Sequence, residues 1–140
     1  MNIPEKIKLI NQKDDISCTL ACVAMVTGKK MGTIKMAAEE LGIEPPCDNL
    51  EFLRLLTFFQ VLGIPNNVSD EMIYSDALYK VSVPSINSKR GLHAVVIDTR
   101  HGDIRVYDPQ RGREGKEFYT AENIKSFSSP IKIIDITSNL

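Results

Sequence analysis

The hydrophobic pattern of the sequence changes period halfway along the chain, and this change limits the folds open to it. The first half repeats apolar residues at helical spacing and places glycine at each expected helix end, over Cys18–Thr27, 32–41 and 49–62. The second half has short β-branched runs separated by Gly, Asn and Asp, at 81–86, 94–98, 104–107 and 131–136. This order predicts an α+β fold, with N-terminal helices packed on a C-terminal antiparallel sheet.

Two further segments are less regular. The pattern over 70–79 fits a helix or a strand equally, and 120–127 is typical of a short helix with Thr120 as its N-cap. The chain has no repeat, low-complexity tract or linker, and 43% of its 140 residues are hydrophobic. These features predict that residues 1–140 form one domain around one core.

Charge and composition argue against several classes of partner. The formal net charge is -1 and the sequence pI is near 6.1, so the chain lacks the basic excess that drives binding to nucleic acid or anionic membranes. It also lacks a secretory signal and an apolar run of membrane-spanning length. We therefore expect a protein that is cytoplasmic as synthesised, with delivery as part of a larger secreted protein left open.

Cys18 lies where a polar stretch, residues 12–17, meets the first apolar helix. A thiol at a helix N-terminus is near unpaired backbone N–H groups and the positive end of the helix dipole, which favour the thiolate. The same position also fits a small buried core residue, because unpaired cysteines are often fully buried.

His93 and Asp108 are the candidate partners of this thiol. His93 opens the most hydrophobic strand, and Asp108 follows the next strand across a hairpin whose tip is at His101-Gly102. Counting outward from the tip places Asp108 opposite residue 95, next to His93 on the sheet. We expect the carboxylate to accept the Nδ1 proton of the imidazole and fix its tautomer. Ordinary structural roles for both residues remain open at this point.

The other thiols and the glycines indicate no additional chemistry. Cys22 lies in an apolar helical setting typical of core, and Cys47 follows two prolines in a loop. The odd number of cysteines fits no disulfide framework, so we expect reduced thiols. With two histidines and no ligand-like spacing no metal is expected, and without a phosphate loop no nucleotide or other cofactor is expected.

Taken in order, these residues resemble the bacteriocin-processing, double-glycine-leader peptidases of the papain-like group. The matching features are Gln12, Cys18 six positions later, residues 20–25 (LACVAM), 93–97 (HAVVI) and 108–112 (DPQRG). The resemblance runs from about residue 8 to about residue 135. It implies a papain-like cysteine peptidase fold, with Cys18 as nucleophile, His93 as general base and acid, Asp108 as orienting residue and Gln12 as oxyanion-hole donor.

The chain departs from that family in two ways. Many members have Asp-Cys-Gly around the nucleophile, whereas this chain has Ser17-Cys18-Thr19, which places a β-branched side chain beside the thiol. The membrane and ATPase segments of the leader-processing transporters are also missing from the sequence. The resemblance therefore implies a stand-alone thiol hydrolase acting on a peptide or protein amide bond, or a module of a larger protein.

Several functions remain open at this level. The same thioester chemistry would serve a protease, a deamidase or a transglutaminase. A compact catalytic domain would also suit a toxin or effector that is neutralised by an immunity or inhibitor protein. A non-catalytic peptide-binding module of the same fold is a further alternative. Nucleic-acid binding would have to use the basic residues near the second strand pair, which are Arg100, Arg105, Arg111, Arg113 and Lys116.

Overall fold

The computed structural model describes residues 3–10, 18–43, 52–68, 72–84, 92–109, 118–120 and 128–134. Three helices come first in this part of the chain: α1 (Cys18–Thr27), α2 (Met31–Glu40) and α3 (Phe52–Val61). Six strands follow: β1 (Asn66–Val68), β2 (Leu78–Pro84), β3 (Leu92–Asp98), β4 (Arg105–Tyr107), β5 (Tyr119–Thr120) and β6 (Ser128–Ile133). The predicted α+β class, with helices before strands, is confirmed.

Helix α1 lies at the centre of the fold. All ten of its residues are buried, as expected of a helix that is apolar on every side. It packs on β3 and on α2. The helix begins at Cys18 and ends before Gly28, as predicted. The fold therefore holds the thiol-bearing helix end against the sheet.

Helices α2 and α3 end in the same backbone arrangement. After α2, the N–H of Gly42 bonds to the carbonyl of Glu39 and the N–H of Ile43 to that of Ala38. After α3, Gly63 and Ile64 repeat these two bonds. Both glycines have positive φ, at 71° and 73°, which glycine adopts without a steric penalty. The glycines thus end the helices where the sequence predicts.

The strands form one antiparallel sheet in the order β1-β6-β2-β3-β4-β5. Its long central pair is β2 and β3, in register from Leu78↔Asp98 to Pro84↔Leu92. The four strand runs predicted from the sequence correspond to β2, β3, β4 and β6. The short strands β1 and β5, at the two edges, were not predicted.

Both faces of the central strands of the sheet are buried. On one face, side chains including Leu78, Val96, Tyr107 and Ile131 join the cluster that contains α1. On the other face lies a second cluster of Ala77, Tyr79, Val81, Val83, Val95, Ile97 and Val106. Alternation along β2 and β3 therefore decides which side chains point toward α1.

A register shift interrupts the pairing of β2 with β6. Lys80 pairs with Ile131, but Ser82 pairs with Ser128, so β6 contains one extra residue across this step. Pro130 lies within the extra segment, and proline has no N–H to give to a ladder. A bulge is the usual way for a strand inside a sheet to contain proline.

Two sequence expectations need comment. The segment 72–77 contains neither helix nor strand, and β2 begins at Leu78, inside the ambiguous run. Thr120, predicted to cap a helix, instead ends strand β5, where it pairs with Arg105. Residues 121–127 lie outside the described residues. Within the described ranges, no helix is long and apolar enough to cross a membrane.

Candidate active site

Cys18 is the first residue of α1 and is only 2% exposed. Burial alone would raise the pKa of its thiol. Hydrogen bonds from the His93 side chain and the Ala94 backbone, the positive charge of His93 and a bond from Thr19 outweigh burial, so the pKa lies below its ordinary value of 9.0. The helix N-terminus also favours an anion here, because its first N–H groups have no partner within the helix.

His93 joins this thiol to Asp108. Nε2 of His93 lies 2.5 Å from Oδ1 of Asp108, and the two side chains are 4% and 2% exposed. Burial lowers the pKa of His93, but the hydrogen bonds and charges of Asp108 and Cys18 raise it from 6.5 to about 9. These shifts favour a thiolate paired with an imidazolium near neutral pH.

The ring nitrogen that meets the carboxylate differs from the one predicted. The sequence predicts that Asp108 accepts the Nδ1 proton of His93, whereas in the structure Nε2 of His93 contacts Oδ1 of Asp108. Since Nε2 is engaged, Nδ1 is the nitrogen left for the Cys18 thiol. The pattern of residues predicts that a carboxylate and an imidazole meet, but it carries no information on the side-chain torsions that choose the nitrogen.

The sheet register explains why His93 and Asp108 meet. Strands β3 and β4 pair Asp98 with Arg105 and Val96 with Tyr107. The same register places Asp108 opposite residue 95, as counting from the hairpin tip predicts. The tip itself is a turn over residues 100–101, and His101 in this turn is exposed. A tight hairpin therefore fixes the distance between the two side chains.

Cys22 lies one helical turn behind Cys18 and is fully buried. Burial, first, and the nearby charges of Cys18 and Asp108 raise the pKa of its thiol well above 9.0, while Lys80 lowers it by less. Cys22 is thus a neutral core thiol, as predicted. Neither Cys18 nor Cys22 forms a disulfide.

Lys80 is a charged residue of this region that the sequence analysis missed. It is 6% exposed and its Nζ donates a hydrogen bond to Oγ of Ser82 at 3.3 Å. Burial lowers its pKa, while Cys22 and Cys18 raise it. The sequence contains one signal for it. Lys80 is two residues from Leu78 and two from Ser82 on the central strand, so it shares the inward face of that strand, where lysine is rare.

Two of the residues singled out in the sequence and three of the five basic residues lie outside the described ranges. Gln12, predicted as oxyanion donor, and Cys47 are outside the described residues, as are Arg111, Arg113 and Lys116. Arg100 and Arg105, the members of the basic cluster that lie in the described ranges, are paired. Arg100 makes a two-point contact with Asp98, and Arg105 pairs with Asp103. Arg105 also stacks on Phe118, 4.9 Å from the ring centroid. These pairings favour structural roles over a surface for nucleic acid.

No model of a known protein family matches the sequence, and neither does any curated protein. Among the described residues, no group of three or more His, Cys, Asp or Glu side chains is placed to hold a metal ion. The described side chains instead bring together a thiol, an imidazole and a carboxylate, which are the components of a nucleophile, a base and an orienting group.

Proposed function

We propose that the protein is a papain-like thiol hydrolase that acts on a peptide or protein amide bond through an acyl-enzyme at Cys18. The observation that carries this proposal is the position of His93, hydrogen-bonded to Asp108 on one side and to the Cys18 thiol on the other. A cysteine that only fills space needs no such chain of groups. The lowered pKa of Cys18 and the raised pKa of His93 support the same reading.

In the proposed reaction, the Cys18 thiolate attacks the carbonyl carbon and forms a tetrahedral intermediate. The His93 imidazolium then gives its proton to the leaving amine nitrogen, the C–N bond breaks and a thioester remains. Neutral His93 next removes a proton from a water molecule, which attacks the thioester and releases the acid. Asp108 keeps the ring oriented and stabilises its positive charge throughout.

The oxyanion of the intermediate requires hydrogen-bond donors near Cys18. Backbone N–H groups at the first turn of α1 have no partner within the helix, and they support this role. The resemblance assigns a second donor to the side-chain amide of Gln12. Thr19, in place of the family's glycine, is 3% exposed and bonds to the thiol, so it is part of the site.

One observation favours a second candidate function. Cys18 is 2% exposed and His93 is 4% exposed, and a nucleophile must be reached by its substrate. This burial is what we expect of a non-catalytic peptide-binding module that keeps the fold and the hydrogen bonds of the site. Accessibility of the thiol therefore separates the two candidates.

The test combines accessibility with turnover. Wild type and Cys18→Ala are each given an activated ester of an N-acylated amino acid, and then a peptide mixture made from a digested proteome. If the protein is a hydrolase, the wild type should give a burst of ester product equal to the enzyme concentration. It should also give a covalent acyl mass on the peptide that contains Cys18, and new peptide termini in the mixture. All three are expected to disappear in Cys18→Ala.

The same mass spectra distinguish the related outcomes. A gain of about one mass unit at Gln or Asn would indicate a deamidase, and amine-linked glutamine a transglutaminase, since both resolve the same thioester. Identical spectra for the two proteins, with no burst from the wild type, would reject the hydrolase and leave the binding module.

A further inference from the structure

Lys80 has a charge that its described surroundings do not neutralise. It lies in β2, between β3 and β6, and is 6% exposed. The hydroxyl of Ser82 is its hydrogen-bond partner, and no carboxylate among the described residues pairs with its ammonium group. Burying an ammonium without an anion costs several kcal/mol. An anion close to the ammonium group would make this position favourable.

The strand pattern shows where Lys80 points. Leu78, two residues before it, belongs to the cluster around α1, whereas Val81 and Val83 belong to the cluster on the opposite face. Val96, directly opposite Lys80 on β3, is also in the α1 cluster. Lys80 therefore extends into the layer between the sheet and α1.

Its hydrogen bond directs the ammonium group along this layer toward the thiol. Ser82 pairs with Ala94 on β3, and the backbone of Ala94 bonds to the Cys18 thiol. Lys80, Ser82 and Ala94 thus form a line of neighbours that ends at Cys18. The register shift between β2 and β6, where Pro130 interrupts the β6 ladder, lies on the side of β2 away from β3.

The source of the anion lies among the side chains of the elements packed around Lys80. Helix α1 contributes Cys18 and Cys22, the hairpin of β3 and β4 contributes His93 and Asp108, and β6 contributes apolar Ile131 opposite Lys80. Asp108 is already paired with His93. Cys22 keeps its proton at neutral pH because burial raises the pKa of its thiol. Among the described side chains of these elements, Cys18 is the remaining group that becomes an anion.

We propose that Lys80 is a positioning residue whose buried ammonium stabilises the Cys18 thiolate from the sheet side, complementing the imidazolium of His93. This inference rests on the proposed function of Cys18 as a nucleophile. It makes the site a thiolate between two cations, His93 at the end of β3 and Lys80 within β2. An anion held in this way is formed more readily and remains an anion over a wider pH range.

The test is the pH dependence of alkylation at Cys18 by limiting iodoacetamide, followed by peptide mapping. Lys80→Met removes the charge at nearly constant volume, and Lys80→Gln also keeps a donor for Ser82, so the experiment does not depend on one variant folding. Val81→Ala is the matched control, because it shortens a buried side chain of the same strand on the opposite face. Urea unfolding of each variant verifies the native state.

The proposal expects the midpoint of alkylation to move upward by about one pH unit in both Lys80 variants, as loss of a nearby opposite charge implies. Val81→Ala should leave the midpoint unchanged even if it lowers stability. A depressed midpoint in wild type that stays the same in folded Lys80→Met or Lys80→Gln would overturn the role of Lys80 alone. A wild-type midpoint no lower than that of a denatured chain would instead reject the proposed function.

Discussion

Nε2 of His93 and Oδ1 of Asp108 are 2.5 Å apart in a buried contact between the start of β3 and the end of β4. This contact holds the imidazole ring in one orientation and leaves Nδ1 for the Cys18 thiol at the start of α1. Because Asp108 directly follows β4, the contact depends on the register of β3 and β4. The reactivity of Cys18 should therefore respond to changes at both partners.

The first prediction concerns the acidity of Cys18. Alkylation by iodoacetamide across pH 5 to 9 should have its midpoint below the ordinary thiol pKa of 9.0, because His93 and the Ala94 backbone stabilise the thiolate. His93→Ala should move the midpoint upward by about 1–3 pH units. Cys22 is the internal control, since its buried thiol should stay unmodified at every pH in that range. Equal labelling of Cys18 and Cys22 in wild type would contradict the prediction.

The second prediction concerns Asp108. Asp108→Asn removes the negative charge that supports the imidazolium, so the pKa of His93 should fall from about 9 toward 6.5. We expect ester turnover to drop by about 10²–10⁴-fold and the alkaline limb of its pH profile to move to lower pH. The matched control is Asp103→Asn at the exposed hairpin turn, where the side chain is 53% exposed. An alkaline limb unchanged in Asp108→Asn would show that Asp108 does not set the pKa of His93.

Much of this arrangement is predictable because local rules agree with each other. The helical period and the following glycine locate α1, and the count from the turn at His101 places Asp108 opposite residue 95. Both rules depend only on short-range geometry. The sequence is therefore sufficient to predict that Cys18, His93 and Asp108 form one site.

The remaining features depend on tertiary contacts. Strands β1 and β5 are three and two residues long, too short for any period to show, and they form because a neighbouring strand offers a free edge. The burial of Lys80 is not predictable from the sequence, because it depends on the packing of α1 against the sheet. The choice of Nε2 over Nδ1 likewise depends on side-chain torsions that no pattern encodes.

The third prediction concerns Asp98, a second buried carboxylate, and its role in stability. Asp98 is fully buried and receives three hydrogen bonds from Arg100. Burial alone would raise its pKa, but the bonds and charge of Arg100 bring it below 3.8. Asp98→Asn should lower the free energy of unfolding by about 1.5–3 kcal/mol, the usual worth of hydrogen bonds to a charged group. Urea denaturation at pH 7 measures this loss.

The stability of Asp98→Asn should also depend on pH in a defined direction. A depressed folded pKa stabilises the protein above the unfolded pKa, and this stability is lost as the pH falls through the folded value. The difference between wild type and Asp98→Asn should therefore shrink below about pH 4. The alkylation midpoint of Cys18 should not change. A changed midpoint would mean that Asp98 acts on the site and is more than a support for the hairpin.

The fourth prediction tests the ion pair through stability. In the proposed thiolate–imidazolium pair, the native protein holds one proton on His93 and none on Cys18. Between the ordinary pKa values of 6.5 for histidine and 9.0 for the thiol, the unfolded chain holds one proton on Cys18 and none on His93. The proton counts are equal, so stability should be nearly independent of pH in this window. In Cys18→Ala only His93 titrates, and its pKa loses the rise due to Cys18 but keeps the rise due to Asp108. A raised pKa stabilises the fold fully below 6.5 and less as the pH rises.

The free energy of unfolding of Cys18→Ala should therefore fall by about 1–2 kcal/mol from pH 6 to pH 9, since each pH unit between folded and unfolded pKa is worth about 1.4 kcal/mol. The double variant Cys18→Ala, Asp108→Asn is the control, because the pKa of His93 then lacks its main support and the slope should vanish. Urea denaturation at four pH values measures all three proteins. A slope in wild type as steep as in Cys18→Ala would mean that Cys18 keeps its proton in the native state, and the thiolate–imidazolium pair would be rejected.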